Sequence, residues 1–521
     1  MSPSGKRSGA FVVFVLAVVL RVGLFPFAEN KHGDAPMRAL IAERMVLEPA
    51  SAAVPRTYCQ FGPLHTTLMR PFIALDSYAP RSSRYLSLLC GLAVFFPFLA
   101  FARRLVGEAR APLAAFALAV SPLHLQASTT ASSEALYLLL WVAALERLLA
   151  ALDQPRDPWE GSRTLPRRTQ PGEALLRPRE SRKLGTFAVA GLLASLAAVT
   201  RYDAWLALPM VALAAWWFAR KSEPASATRG LAVFALAASS FPLAWLVWGA
   251  AAGGDPLFFA HYISSDHAGL AATAAARYGA WLGRARQLGV WSLAFLAAMT
   301  PPGAVLAAVA LKRGARALSP AMRLVVVAAL GPPAIYLAEG LIAQSFEPLA
   351  RFALVPGALL LPLAVTAVPI DRARSFRVGA FASAAAFSVI VWLVATVGRE
   401  RIWAGAESMG MLTRLDGEDR ALAAHLRAVR RPGQRVMIEP FSFADIGIAH
   451  AAGIPWTESV TLIVTREPGA TARDSLLSTG AEYLVGTDRP GGWPARLPDW
   501  PPGGARFGRW IVIGRGTPGA I

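Results

Sequence analysis

GAFVVFVLAVVLRVGLFPFAENKHGDAP, residues Gly9 to Pro36, opens with a long apolar run that ends near Phe27 and reaches an acid, Asp34, within His32-Gly33-Asp34-Ala35-Pro36. The run has the length needed to cross a hydrocarbon core, about 20 residues. It is long for a signal peptide, and no small-residue cleavage site follows it before the charged loop, so it reads as a retained span. An acid placed just past such a span is informative, because ionisable groups at membrane level are costly.

The same pattern recurs along the chain. At 521 residues, 55% hydrophobic, with a mean hydropathy of +0.43, the sequence is too evenly apolar for a soluble enzyme. Membrane-length runs fall at roughly 9–27, 84–101, 111–127, 132–151, 185–200, 203–219, 230–251, 288–311, 323–343, 352–370 and 378–397, about eleven spans on the length rule. The fold class expected is therefore mainly α, a polytopic membrane protein, with 1–397 as the membrane domain and 398–521 as a soluble domain of different character.

Charge sets the topology. The formal net charge is +19, which in a soluble protein would suggest a nucleic-acid partner. Here the basic residues gather in alternate loops: Lys6 and Arg7, Arg103 with Arg104 and Arg110, the stretch from Arg156 to Lys183, Arg220 and Lys221, Lys312 with Arg313 and Arg316, and Arg372 with Arg374 and Arg377. Cytoplasmic placement of those loops obeys the positive-inside rule with the amino terminus inside. The charge thus reads as topology and headgroup contact, with no nucleic acid. It leaves 28–83, 252–287 and everything after about 398 on the outer face. Cys59 falls outside and Cys90 within a span, so no disulfide framework is implied. The polar segment 152–183 reads as a partly disordered cytoplasmic loop.

In 28–83, Met37, Leu40, Ile41 and Met45 recur at helical spacing among Arg38, Glu43, Arg44 and Glu48, which predicts an amphipathic helix in the interface. Tyr58 to His65 reads as a turn leading into a second short helix. The segment 252–287 reads as an outer loop bearing His261, Asp266 and His267. In the tail, helices are predicted at Asp416–Arg430, Phe443–Ala452 and Ala470–Thr479. Strands are predicted at Arg435–Glu439, Ser459–Thr465, Ala481–Thr487 and Trp510–Ile513. The alternation indicates a small α/β domain without a glycine-rich dinucleotide fingerprint or metal-ligand spacing.

The candidate chemistry sits at the outer mouths of spans. Glu134, in Ser132-Ser133-Glu134, starts the fourth span; as a helix cap it would contribute about 0.3–1 kcal/mol, and as a site residue it would join Asp34. Arg201, in Thr200-Arg201-Tyr202-Asp203, lies on an outer hairpin where the positive-inside rule does not place a cation. A guanidinium there can hold phosphate oxygens through a bidentate fork, or pair with Asp203. Arg351, in Glu347-Pro348-Leu349-Ala350-Arg351, repeats the pattern. His261 and His267 are candidates for the same phosphate pocket, and with Asp266 they are of residue types that ligate a divalent metal.

These motifs together resemble the GT-C superfamily of polytopic glycosyltransferases, in the bacterial branch similar to protein mannosyltransferases and aminoarabinose transferases. The resemblance runs over roughly the first 400 residues: Gly33-Asp34, Gly62-Pro63-Leu64-His65, Ser121-Pro122 with Glu134, Thr200-Arg201-Tyr202, Arg351-Phe352 and Pro356. Each motif is only two to four residues; order, spacing and topology carry the likeness. The resemblance implies that Asp34 is the catalytic base, with Glu134 as the second catalytic candidate. It implies a polyprenyl-phosphate sugar donor held by Arg201, Arg351, His261 and His267, with His65, Tyr202 and Asp266 facing the acceptor or the sugar. The chain departs from many relatives in having Ala35, and not a second acid, after Asp34.

The expected function is inverting transfer of a hexosyl or pentosyl group from that lipid donor to a hydroxyl on a lipid, glycan or protein acceptor. No cofactor and no metal are required, because the leaving group is already a phosphate. The Arg-over-Lys bias with abundant Ala points to a GC-rich bacterial genome, hence an inner membrane with the site facing the periplasm. Rival readings are a glycan ligase or oligosaccharyltransferase-like enzyme using a diphosphate carrier, and a transporter or flippase. A transporter places its charges near the midplane, whereas these lie at helix mouths.

Overall fold

A computed structural model describes residues 3–31, 34–58, 61–76, 78–152, 178–220, 224–314, 317–397, 406–439, 444–459, 480–489, 492–496 and 504–514. Residues 153–177 of the polar segment, Cys59, the helix expected at Ala470–Thr479 and most of the strand expected at Ser459–Thr465 lie outside these residues, while the end of the polar segment, 178–183, begins the helix Pro178–Thr200.

The chain is a helical bundle followed by a small mixed domain. Among the described residues seven helices are long and apolar enough to cross a bilayer: Gly9–Phe27, Ala79–Val106, Glu134–Leu152, Lys183–Thr200, Ala227–Gly253, Pro320–Ala343 and Ile370–Val394. An eighth counts if the pair Trp281–Met299 and Pro301–Lys312, bent by 106° at Thr300, is one span. The other three expected segments are also helical but shorter: Asp203–Ala219, Leu354–Thr366, and 111–129, which is split at Ser121 into Ala111–Ala119 and Pro122–Thr129. A multi-pass architecture is thus present with seven to eight full-length apolar helices, fewer than the length rule gave.

The perimeter and the centre of the bundle differ in kind. Phe11, Val12, Val15 and Val19 of α1 (Pro3–Leu24) and Val389, Ile390 and Trp392 near the other end of the chain are exposed, as lipid-facing side chains are. The centre combines large rings (Phe95, Phe98, Phe101, Trp141) with alanines such as Ala114, Ala115, Ala194 and Ala298, all buried. Small residues let helix backbones approach closely where lipid supplies no hydrophobic drive between helices.

Two expectations change around the site. The helix predicted at 37–45 is α2 (Ala35–Leu47), but nine of its thirteen residues are buried, including Arg38 and Glu43. It does not lie in the interface. Ala35, Ala39 and Ala42 pack with Met69 and Ile73 of α3 (Pro63–Leu75), while Ile41 and Met45 pack with Tyr58, Phe61 and Trp245. Leu40 meets Ile446 of the tail, so apolar partners close on the helix from three sides. The segment 252–287 is not a loop either. It forms the start of a long helix, Phe258–Met299, kinked at Gly279, whose φ of 72° and ψ of 168° suit glycine. The alanine-rich run after Gly269 favours helix.

The tail follows its predicted order. Strands β1 (Val436–Ile438), β2 (Tyr483–Thr487), β3 (Ala505–Phe507) and β4 (Trp510–Gly514) form one sheet in the order β1-β2-β4-β3. β1 and β2 are parallel and the other pairs antiparallel. Helices Gly417–Val429 and Ala444–Ala451 supply Leu422, Leu426 and Ile448 to a core with Val436, Ile438, Val485, Trp510 and Val512. Ser459, the one described residue of the expected second strand, bridges Val436; β3 was not anticipated. The domain docks on the segment after α1. Glu29 and Thr413 pair through their backbones, Lys31 Nζ lies 2.7 Å from Asp416, and His450 Nε2 lies 3.1 Å from Glu43 Oε2.

Candidate active site

The mouth of the bundle around α2 gathers acids and arginines from four separate segments. Asp34 stands at the N-cap position of α2 yet makes no capping hydrogen bond with its side chain. Its Oδ1 lies instead 2.8 Å from Arg351 Nη1, and its Oδ2 3.9 Å from Arg38 Nη2. Glu134, the first residue of its helix, pairs through Oε1 with Arg201 Nη1 and lies 3.7 Å from Arg351 Nε, while Ser132 Oγ donates to Oε2. Arg201, 7% exposed, is further held by Asp203 at 2.6 Å, and the Tyr336 hydroxyl donates to Asp203 Oδ1 at 2.7 Å. Burial alone would lower the Arg201 pKa, but Asp203, Glu134 and Asp34 outweigh the desolvation and raise it.

Three carboxylates (Asp34, Glu134, Asp203) therefore face three guanidiniums (Arg38, Arg201, Arg351). The two expected arginines do converge. Both approach the ring of Phe352, at 5.4 Å for Arg201 and 5.6 Å for Arg351. They differ in restraint. Arg201 is enclosed by two carboxylates and Ser133. Arg351 is 22% exposed and its buried Nε makes no hydrogen bond. Beside them lies a cavity of about 400 Å³ that includes Glu134, Arg201, Asp203, Tyr336 and Arg351 in its lining, with Trp141 and Phe352 as apolar wall.

Local sequence explains the convergence. Gly62, just before α3, lies so close to the hairpin that a Cβ would collide with the Val199 carbonyl. The outer segment can thus seat directly against the residues that precede Arg201. Tyr202 completes the seat: its hydroxyl donates to the Phe61 carbonyl at 3.3 Å and its ring stacks on Phe259 at 4.3 Å.

The remaining candidates divide. His267 stacks on Phe346 at 4.5 Å, and Tyr336 stacks on the same ring, also at 4.5 Å. Burial, then the Arg351 charge, lowers the His267 pKa. Asp266 is in the field of the site: burial raises its pKa, Asp34 adds to this, and Arg351 opposes it. His261 is not brought in. It is 70% exposed and sits 2.9 Å from Asp255, because the helix turns it away from the face that carries His267. His65 is fully buried behind the site, with Nε2 3.2 Å from Ser87 Oγ, and presents no surface to an acceptor. His261, Asp266 and His267 do not form a metal-ligating group among the described residues. The carboxylates with ligand spacing are Asp416, Glu418 and Asp419 in the tail, and Arg509 bridges all three.

Sequence reasoning passed over Arg38, Asp203 as a site acid, and Tyr336. Arg38 carried a signal, since it lies one turn after Asp34 on the same helix. Tyr336 carried none, being a lone polar tip in an apolar span.

No family model and no curated protein matches the sequence. Solved structures do match by fold. ArnT from Cupriavidus metallidurans, bound to undecaprenyl phosphate, aligns over 100% of this chain and 99% of its own, with a TM-score of 0.61 and 14% identity. Its apo form gives 0.59 and 15%, over 99% of each chain. The oligosaccharyltransferase AglB from Archaeoglobus fulgidus, in complex with an inhibitory peptide and a dolichol-phosphate, gives 0.52 and 13%, over 92% of this chain and 69% of its own. These proteins are membrane glycosyltransferases of the GT-C superfamily. The chain has the GT-C fold, as its short motifs implied; at these identities the likeness is one of fold.

Proposed function

We propose that the protein is a membrane glycosyltransferase that moves a single sugar from a polyprenyl-phosphate carrier to an acceptor hydroxyl, with Asp34 as general base. One observation carries this reading: Asp34 and Glu134 are joined by Arg201 and Arg351 at the edge of a cavity with an apolar wall. Structures of similar fold were solved with undecaprenyl phosphate and with dolichol-phosphate.

In the proposed step the donor phosphate takes the Arg351 guanidinium from Asp34, while Arg201 stays fixed between Glu134 and Asp203. The released carboxylate accepts the acceptor's hydroxyl proton as that oxygen attacks the anomeric carbon. The bond from that carbon to the phosphate oxygen breaks, its electron pair leaves with the phosphate, and configuration inverts. Preorganised guanidiniums meet the charge that develops on the leaving group, usually the larger catalytic term. Three carboxylates already balance three guanidiniums, so no surplus positive charge awaits a second phosphate. This favours a monophosphate carrier over a diphosphate one. The alternation of basic loops supports a reaction on the outer face, and the Arg-over-Lys bias with abundant Ala supports a bacterial inner membrane with that face toward the periplasm.

The test is transfer by the purified protein with a panel of radiolabelled polyprenyl-phosphate sugars. Asp34→Asn should lower transfer by about 10²–10⁴-fold, the usual contribution of general-base help, while lipid donor still binds. Transfer that survives the substitution would move the base to Glu134. Donor flux across vesicles without transfer would favour a flippase.

A further inference from the structure

In the helix Phe258–Met299, Ala271 and Ala275 before the kink and Gly279 and Gly283 at and after it line one groove. In membrane helices such small residues normally mark a packed helix–helix seam. Here the seam is open: no atom lies within 4 Å of where a Cβ at Gly279 or Gly283 would stand. A groove of about 320 Å³ runs between this face and the turn that carries Gly340 and Glu347.

Two oxygens in the groove's lining lack a donor. Gln287, 6% exposed, donates from Nε2 to the Phe346 carbonyl at 2.6 Å, which fixes its amide orientation; its buried Oε1 accepts nothing. Glu347, 8% exposed, pairs through Oε1 with Arg286 Nη2 at 2.5 Å, and its buried Oε2 likewise accepts nothing. A buried acceptor left unsatisfied costs about 1–3 kcal/mol, and such groups in folded proteins call for a specific explanation. An acyl or isoprenoid chain would leave both oxygens unsatisfied, and a phosphate would add repulsion. Glu347 is already matched by Arg286, so a cation gains little. A ligand that donates hydrogen bonds while staying neutral fits both.

The groove and the candidate site are built on two shared segments of the chain. Asp266, in the field of Asp34 and Arg351, precedes Ala271 by five residues, about 7.5 Å of helix rise. Glu347 precedes Arg351 by four residues and follows Phe346, which stacks on His267.

We infer that this groove is a carbohydrate subsite that receives the hydroxyls of a glycan acceptor, with Gln287 Oε1 and Glu347 Oε2 accepting from them and Gly279 and Gly283 letting the sugar ring lie against the helix backbone. The inference rests on the glycosyltransferase reading for the acceptor role, but not for sugar binding itself. The experiment is saturation-transfer NMR on the full chain in lipid nanodiscs, with maltose, lactose and chitobiose as probes, comparing wild type with Gly283→Leu and Ala275→Leu. Both variants fill the groove without touching Asp34, Glu134, Arg201 or Arg351, and their unfolding midpoints report whether the fold holds. Saccharide signal in the wild type that falls at least tenfold in a folded variant, with polyprenyl-phosphate binding unchanged, is the expected result. No saccharide signal from the wild type, or a signal that survives both substitutions, overturns the subsite. Saccharide binding that persists in a protein with no transfer and no donor binding would instead overturn the enzymatic reading and leave the subsite standing.

Discussion

Arg201 and Arg351 look alike in sequence, each an unexpected cation on a hairpin, but their surroundings separate them. Arg201 neutralises the buried Glu134 and the half-buried Asp203, and removing one member of a buried pair costs about 3–5 kcal/mol. Arg201→Ala should therefore lower the unfolding midpoint sharply. Arg351 is 22% exposed and Asp34 retains Arg38 at 3.9 Å. Arg351→Ala should leave the midpoint within a few degrees and raise the donor KM at least tenfold, measured by donor titration alongside thermal unfolding. His65 offers a pH signature. Burial holds its pKa down at about 3 against an unfolded value of 6.5. The unfolded chain thus binds a proton below pH 6.5 that the folded chain refuses. Stability is complete above 6.5 and falls by about 1.4 kcal/mol per pH unit as pH drops below it. Denaturant titrations from pH 7.5 to 5 should show that slope in the wild type and a flatter one in His65→Gln. At this scale the sequence disclosed Asp34, Glu134, Arg201 and Arg351, because charge at a helix mouth is conspicuous. It gave His65 a surface role because burial is not written in a residue's neighbours.

At the scale of elements, hydrophobic periodicity placed α2 and apolar run length placed the spans, while their environments came from elsewhere. The periodic face of α2 reads as an interfacial helix because its polar positions are visible and its partners are not; Tyr58, Trp245 and Ile446 are 13 to more than 400 positions away. The helix Phe258–Met299 was missed because its histidines, serines and glycines resemble a loop, whereas its alanine run decides the backbone. Gly279 holds a conformation that side chains rarely adopt, with a cost of about 1–3 kcal/mol for other residues. Gly279→Ala should lower the unfolding midpoint and weaken saccharide binding together, read by calorimetry and the NMR titration. Gly254→Ala, also at positive φ but outside the groove lining, should lower only the midpoint.

Over the whole molecule, the tail is fastened to the helix that carries Asp34. His450 meets Glu43 on α2, and Lys31 meets Asp416 just before the tail's first long helix. Replacing both contacts, with Lys31→Met and His450→Leu, should speed amide hydrogen exchange in α2 and in Ala444–Ala451. Exchange in the buried helix Glu134–Leu152 should stay unchanged, and transfer should fall through loss of Asp34 positioning. The sequence by itself determined the class of the protein. Apolar run length, alternating basic loops and the strand-helix order of the tail fixed a multi-pass bundle with a small mixed domain, since each is a local property of the chain. Only the tertiary structure decided which charges meet. Asp34 and Arg351 are more than 300 residues apart and touch because α2 and the segment before Leu354–Thr366 end at the same mouth. Ion pairing is a matter of distance in space, and no local pattern encodes it.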